Sequence, residues 1–177
     1  MSAYDDLMAF TRETEALKMI SMRLGWDQET MMPRGAAQQR GEEMAAMETV
    51  LHARRSDPRV GDWLAAAEPG DAVGRAQLRE IRRSYDRATR VPADLARELA
   101  RLTSVAQGIW AEAREAQDVA SFLPTLAQVV ALRRQEAEVL SDGGDAYDAL
   151  VQDYEPGSSG AEIAAIFDAM RPRLVAL

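Results

Sequence analysis

Apolar residues recur along this chain with the three-and-four spacing of amphipathic helices, and that period organises the reading. Leu7, Phe10, Leu17, Ile20 and Leu24 follow a Ser2–Asp5 pair placed like a capping box. Gly25 is expected to stop this first helix, because glycine is the usual residue past a helix C-terminus. Residues 25–35 lose the period and are expected to form a loop that carries Trp26 and Pro33. A second helix is expected from about Gly35 to Arg55, with Met44, Met47 and Leu51 on one face. Asp57-Pro58 pairs an N-cap with a first-turn proline and opens a short helix through Trp63 and Leu64, which Pro69-Gly70 closes.

The next period, from about Asp71 to Thr89, places Leu78, Ile81, Tyr85 and Ala88 inward. Val91-Pro92 breaks it, since the residue before proline is pushed out of the α region. The clearest stripe follows, Leu95, Leu99, Leu102, Ala106, Ile109 and Ala113, on a helix from Pro92 to about Gln117. Another helix is expected from Ser121 or Pro124 to Leu140, ended by Gly143-Gly144, then a helical turn near Tyr147–Tyr154. Ser159 and Glu162 form a second capping box before Ile163, Ile166, Phe167, Met170, Leu174 and Leu177. This last stripe is still in phase at Leu177, without a terminal glycine, C-cap or basic last turn. The expectation is a piece cut from a longer protein, forming one helical segment over residues 1–177. β-branched runs are nearly absent, so the fold class is all-α, an array or bundle of about six to eight helices.

Composition narrows the function classes. A net charge of -8 argues against nucleic-acid and anionic-membrane partners, whose phosphates need the opposite sign. No apolar run approaches the roughly 20 residues of a membrane span. The start, MSAYDDL, lacks the order of a signal peptide, and zero cysteines exclude a disulfide framework. The expected location is the cytoplasm.

Candidate chemistry is sparse. His52 is the only histidine; Glu48 lies one turn away on the same face, and a surface ion pair is the favoured reading over a metal site. Arg75, Arg79, Arg82, Arg83, Arg87 and Arg90 crowd one helix, yet Glu80 and Asp86 interrupt them, so a solvated or acid-paired face is expected. Asp142, Asp145, Asp148 and Asp153 lack the glycine and glutamate placement of a calcium loop and are assigned to capping and solvation. The nine methionines are assigned to core filling. The 29 acidic residues offer too many chance pairs to single out an acid–base couple, and nucleophile and phosphate-loop motifs are absent. Residues 25–35 stand apart: a bulky aromatic, two methionines and several polar groups are too rich a mixture for an ordinary short connection.

The stretch L-G-W-D-Q-E-T-M-M-P, Leu24 to Pro33, resembles the N-terminal signature of the M32 (Taq-type) metallocarboxypeptidases. H-A-R-R-S-D-P-R-V-G from His52, V-P-A-D-L from Val91, Y-D-A-L from Tyr147 and D-Y-E-P-G from Asp153 agree in the same order. The resemblance implies an all-helical enzyme that removes C-terminal residues from peptides, using a divalent metal, normally zinc, in a groove between helical halves. In that family an HExxH helix and a later glutamate hold the ion, and the glutamate between the histidines activates water. None of these positions exists among the 177 residues, so no catalytic and no metal-binding residue is carried over, and His52 is not one of them. The matching region would be the first third of such an enzyme, packing against the missing catalytic part and inactive alone. Trp26, Asp27, Thr30, Met32 and Pro33 are the candidate wall of the substrate cleft. The uncovered face of the last helix is expected to be buried in a homo-oligomer. The alternative is a standalone, non-enzymatic helical binding module, decided by whether the reading frame continues past Leu177 into an HExxH.

Overall fold

Capped helix ends and helix-favouring interiors divide the described residues into eight α-helices. They are α1 (Ala3–Thr30), α2 (Ala37–Arg55), α3 (Pro58–Ala66), α4 (Ala72–Arg90), α5 (Ala93–Glu115), α6 (Val119–Ser141), α7 (Ala146–Val151) and α8 (Gly160–Val175). A 3₁₀ turn, Arg34–Ala36, leads into α2. The computed structural model describes residues 2–177, and no strand occurs among them. Among the described residues no helix is long and apolar enough to cross a membrane.

Both capping boxes form. The Asp5 amide donates to Ser2 Oγ at 3.2 Å while Ser2 N donates back to Asp5 Oδ2 at 3.1 Å. Ser159 and Glu162 repeat this at α8, with Ser159 N reaching Glu162 Oε2 at 2.8 Å. Asp57 caps α3 through the Arg59 amide at 2.9 Å, with Pro58 in the first turn. α6 starts earlier than expected because Asp118 Oδ1 accepts from the Ser121 amide at 3.2 Å, which places Pro124 within the helix.

The chain divides into two units, one extending to Leu132 and the other Arg133–Leu177. In the first, α2 packs along α5, and Gly41 is what permits the close approach. A Cβ built there would meet Val105 Cγ2 at 2.7 Å and the Arg101 carbonyl at 3.3 Å. Ala45 and Leu51 of α2 and Leu99, Leu102 and Ala106 of α5 are buried. α1 packs on α2 and α3, and α4 on α2 and α3. Leu7, Val60 and Leu64 form a buried cluster there, flanked by Met8, Phe10, Trp63, Leu78, Ile81 and Tyr85. Arg54 lies over the Phe10 ring, 4.0 Å from its centroid, and also donates to Thr14 Oγ1 at 2.9 Å, tying α2 to α1.

In the second unit two of the four acidic residues, Asp145 and Asp148, serve helix starts. Asp145 Oδ1 accepts from the amides of Tyr147 and Asp148, capping α7. Asp148 Oδ1 accepts from Gly160 N at 2.7 Å, fixing the first turn of α8 to α7.

Four expectations are corrected. Gly25 does not end the first helix: α1 runs on to Thr30, because side-chain bonds beyond Gly25 hold those residues helical. His52 makes no ion pair with Glu48; its Nε2 lies 2.7 Å from the Val91 carbonyl, while Glu48 pairs with Arg55 at 3.5 Å. A buried carbonyl at the α4–α5 break is a better partner for an imidazole than a carboxylate already paired. The methionines are not uniformly core: Met19, Met22, Met31 and Met170 are exposed. The last turn of α8 does contain a basic residue, Arg173, since the helix ends at Val175. The α4 arginines follow expectation where they pair with Glu80, Arg79 at 3.2 Å and Arg83 at 3.4 Å, and Arg82 instead donates to the Leu64 carbonyl at 3.1 Å.

Candidate functional site

The last two turns of α1 carry Trp26, Asp27 and Thr30, with Met32 and Pro33 just beyond, and a polar joint between α1, α2 and α5 holds Asp27 and its neighbours Gln28 and Glu29. Arg40, one turn into α2 and only 10% exposed in its side chain, donates to Asp27 Oδ2 at 2.5 Å, to Glu43 Oε2 at 2.9 Å and to the Leu24 carbonyl. The bond to Asp27, ahead of the cost of burial, raises the Arg40 pKa further above its already high ordinary value, so the guanidinium stays charged. Gln28 donates to the Ser104 carbonyl at 2.8 Å and accepts from Ser104 Oγ at 2.7 Å. Gln107 donates to Glu29 Oε2 at 2.8 Å. Thr30 Oγ1 returns to the Trp26 carbonyl at 2.7 Å, and the amides of Met31 and Met32 both reach the Asp27 carbonyl at 2.9 Å. Pro33 then opens the 3₁₀ turn.

This arrangement separates the five candidate wall residues. Asp27 and Thr30 are committed to the joint and the helix end. Trp26 points outward, 64% exposed, and Met19, Met22 and Trp26 line one face of α1 at three-and-four spacing. Met32 is half-buried and Pro33 exposed. Trp26 and Pro33 are thus exposed, whereas Asp27 and Thr30 are bonded back to the helices. Sequence reasoning missed Arg40, Ser104 and Gln107; the paired polar residues Gln28 and Glu29, inside a stretch otherwise rich in large apolar groups, were the available signal.

A groove of about 910 Å³ lies elsewhere in the first unit, among α1, α3 and α4, with Met8, Val60, Ile81 and Tyr85 in its lining and Arg12 and Lys18 beside them. None of Trp26 to Pro33 lines it. Among the described residues no group of three or more histidines, aspartates or glutamates could hold a metal ion. The one histidine is engaged by a backbone carbonyl, so the donor set of this chain does not fit a catalytic divalent metal.

The helical architecture is that of metallocarboxypeptidases. Trypanosoma cruzi metallocarboxypeptidase 1 superposes with a TM-score of 0.75 at 30% identity, covering 96% of this chain and 35% of that one. The Pyrococcus furiosus carboxypeptidase structure gives 0.78 at 25% identity, over 98% and 36%. The chain belongs to the carboxypeptidase Taq (M32) metallopeptidase family, whose model matches residues 6–177. Thermostable carboxypeptidase 1 of Thermus thermophilus is 38% identical over 191 residues, 99% of this chain and 38% of its own length. Its Pyrococcus furiosus namesake is 27% identical, over 95% and 34%. The chain thus spans little more than a third of the length of these relatives.

Proposed function

We propose that these 177 residues are the N-terminal helical region of a metal-dependent carboxypeptidase that removes C-terminal residues from peptides. Their task is to wall and cap the substrate groove and to pack against the catalytic part. The observation that carries this reading is the family match over residues 6–177 in a chain that spans little more than a third of its relatives' length. The divalent ion, normally zinc, belongs to the part of a full-length enzyme that these residues do not include, and the chain alone is catalytically inert. Trp26, Met32 and Pro33 offer apolar contact along the groove wall, while Asp27 and Thr30 keep that edge rigid. The Arg40–Asp27 and Gln28–Ser104 bonds support such a role, because a wall that sets substrate position must not move with it. The cytoplasm is the proposed location, checked by fractionation of the cells that produce the protein.

The test is an assay of the purified chain, with added zinc or cobalt, for release of the C-terminal residue from a blocked dipeptide. No turnover above background is expected. Turnover that a chelator abolishes would overturn the proposal. The second reading, a standalone helical binding module, draws on the exposed Met19–Met22–Trp26 face. A reading frame that continues past Leu177 into an HExxH would dismiss it.

A further inference from the structure

α1 and α4 each pack on α2 and α3 rather than along each other, which leaves the groove of about 910 Å³ as a trough between them. The trough is bridged at the helix starts, where Tyr4 Oη donates to Gln77 Oε1 at 2.5 Å. Its α1 wall runs from Tyr4 to Lys18, about 21 Å of helix.

The lining changes along that length. Beside the bridge it is hydrocarbon: Met8 of α1, Val73, Ala76 and Ile81 of α4, and Val60 of α3. The bridge engages the polar ends of Tyr4 and Gln77 with each other, so this part offers amide groups little to bond. Further along, charges enter: Arg12, Lys18, Arg54, Arg55 and Arg83, against Glu15 and Glu80. Cations outnumber carboxylates here, in a chain whose net charge is -8. Arg54 and Arg55 are held by Glu13 and Glu48, which lie outside the lining. Arg12 makes no hydrogen bond or ion pair among the described residues. Lys18 meets Glu15 at 3.4 Å, an exposed pair of little strength.

We propose that this trough is a binding site for an anionic amphiphile, a linear fatty carboxylate. Its tail lies along Met8, Val60, Val73 and Ile81, and its carboxylate meets Arg12 and Lys18. The hydrocarbon stretch selects an alkyl tail over a peptide, because a tail has no amide groups to leave unpaired. The cations beyond it select an anionic head, which a neutral or cationic amphiphile lacks. Both α1 cations are exposed, so the carboxylate keeps part of its hydration and is not buried as a bare charge. The volume is at the upper end for small-molecule sites, enough for a tail of about twelve carbons. The trough lies within the first unit, and the inference stands apart from the carboxypeptidase reading.

Isothermal titration of the full chain with sodium octanoate, decanoate and dodecanoate, each kept below micelle formation, tests this. One saturable site is expected, tightening about two- to fourfold for each added methylene. Dodecanol and dodecyltrimethylammonium, which share the tail, are expected to bind roughly tenfold more weakly than dodecanoate. Arg12→Glu and Val73→Glu, both at exposed positions, are expected to keep the helical circular dichroism and to weaken dodecanoate binding by about tenfold. Met22→Glu and Leu174→Glu, on exposed apolar faces outside the trough, are expected to leave it unchanged. Absence of saturable binding overturns the proposal, and so does dodecanol binding as tightly as dodecanoate. Binding lost in Met22→Glu or Leu174→Glu but kept in Val73→Glu overturns it as well. Co-sedimentation with anionic phospholipid vesicles, without uptake of monomeric dodecanoate, would assign the trough to a membrane surface and overturn it too.

Discussion

Gln28 shows how much a single side chain in the signature stretch accomplishes. Its amide bonds both the hydroxyl and the carbonyl of Ser104, a buried residue. Replacing it with alanine leaves the buried Ser104 hydroxyl without this partner, and Gln28→Ala is expected to lower the stability of the first unit by about 1–3 kcal/mol. Urea unfolding followed by circular dichroism measures this; an unchanged midpoint would mean that the joint between α1 and α5 contributes nothing. Glu48 makes a second residue-scale case. Burial is the main cause that raises its pKa above the ordinary 4.5, against the opposing pull of Arg55 and His52. A raised carboxylate favours folding below pH 4.5 and loses that contribution as pH rises through its folded value. Glu98 runs the other way: the Arg101 bond lowers its pKa, so its contribution is present above pH 4.5 and fades as pH falls through the lower folded value. Glu48→Gln is therefore expected to raise the melting temperature at pH 7 and to leave it unchanged near pH 3. Glu98→Gln is expected to lower it at pH 7, with the difference closing in acid.

At the scale of elements, α3, α4, α5 and α8 were legible because their caps and periods agree. Asp57-Pro58, Val91-Pro92 and the Ser159–Glu162 box each fix an end through local geometry, which sequence displays directly. The end of α1 was not legible, since what carries the helix through Gly25 to Thr30 is tertiary: Arg40 lies 13 residues from Asp27 and Ser104 lies 76 from Gln28. Gly25 itself has no positive φ, and a Cβ there meets nothing within 4 Å. Gly25→Ala is accordingly expected to stabilise the chain by about 0.5–1 kcal/mol, the ordinary difference between alanine and glycine inside a helix. Thermal unfolding decides this, and a destabilisation would return Gly25 to the role of helix terminator. Of the candidate site, Trp26 and Met32 were legible as unusual residues. Their partition into an outward edge and an inward joint was not, because that depends on where Arg40, Ser104 and Gln107 arrive from the other helices.

For the whole molecule, family membership and chemical endowment point in different directions. The chain belongs to a metallopeptidase family along residues 6–177, and yet its single histidine is spent on the Val91 carbonyl. The exposed faces of α1 and α8 add to this, because each is apolar, ordered at helical spacing and free of any catalytic group. The account therefore assigns to these residues the shaping of a groove and the making of contacts, and places the metal chemistry in residues that the chain does not contain. Titration of the purified chain with cobalt(II), followed by its visible absorption and by equilibrium dialysis, tests this most directly. The account predicts no ligand-field band of a protein-bound ion and no stoichiometric uptake at micromolar metal. A tetrahedral cobalt spectrum saturating at one ion per chain would contradict it.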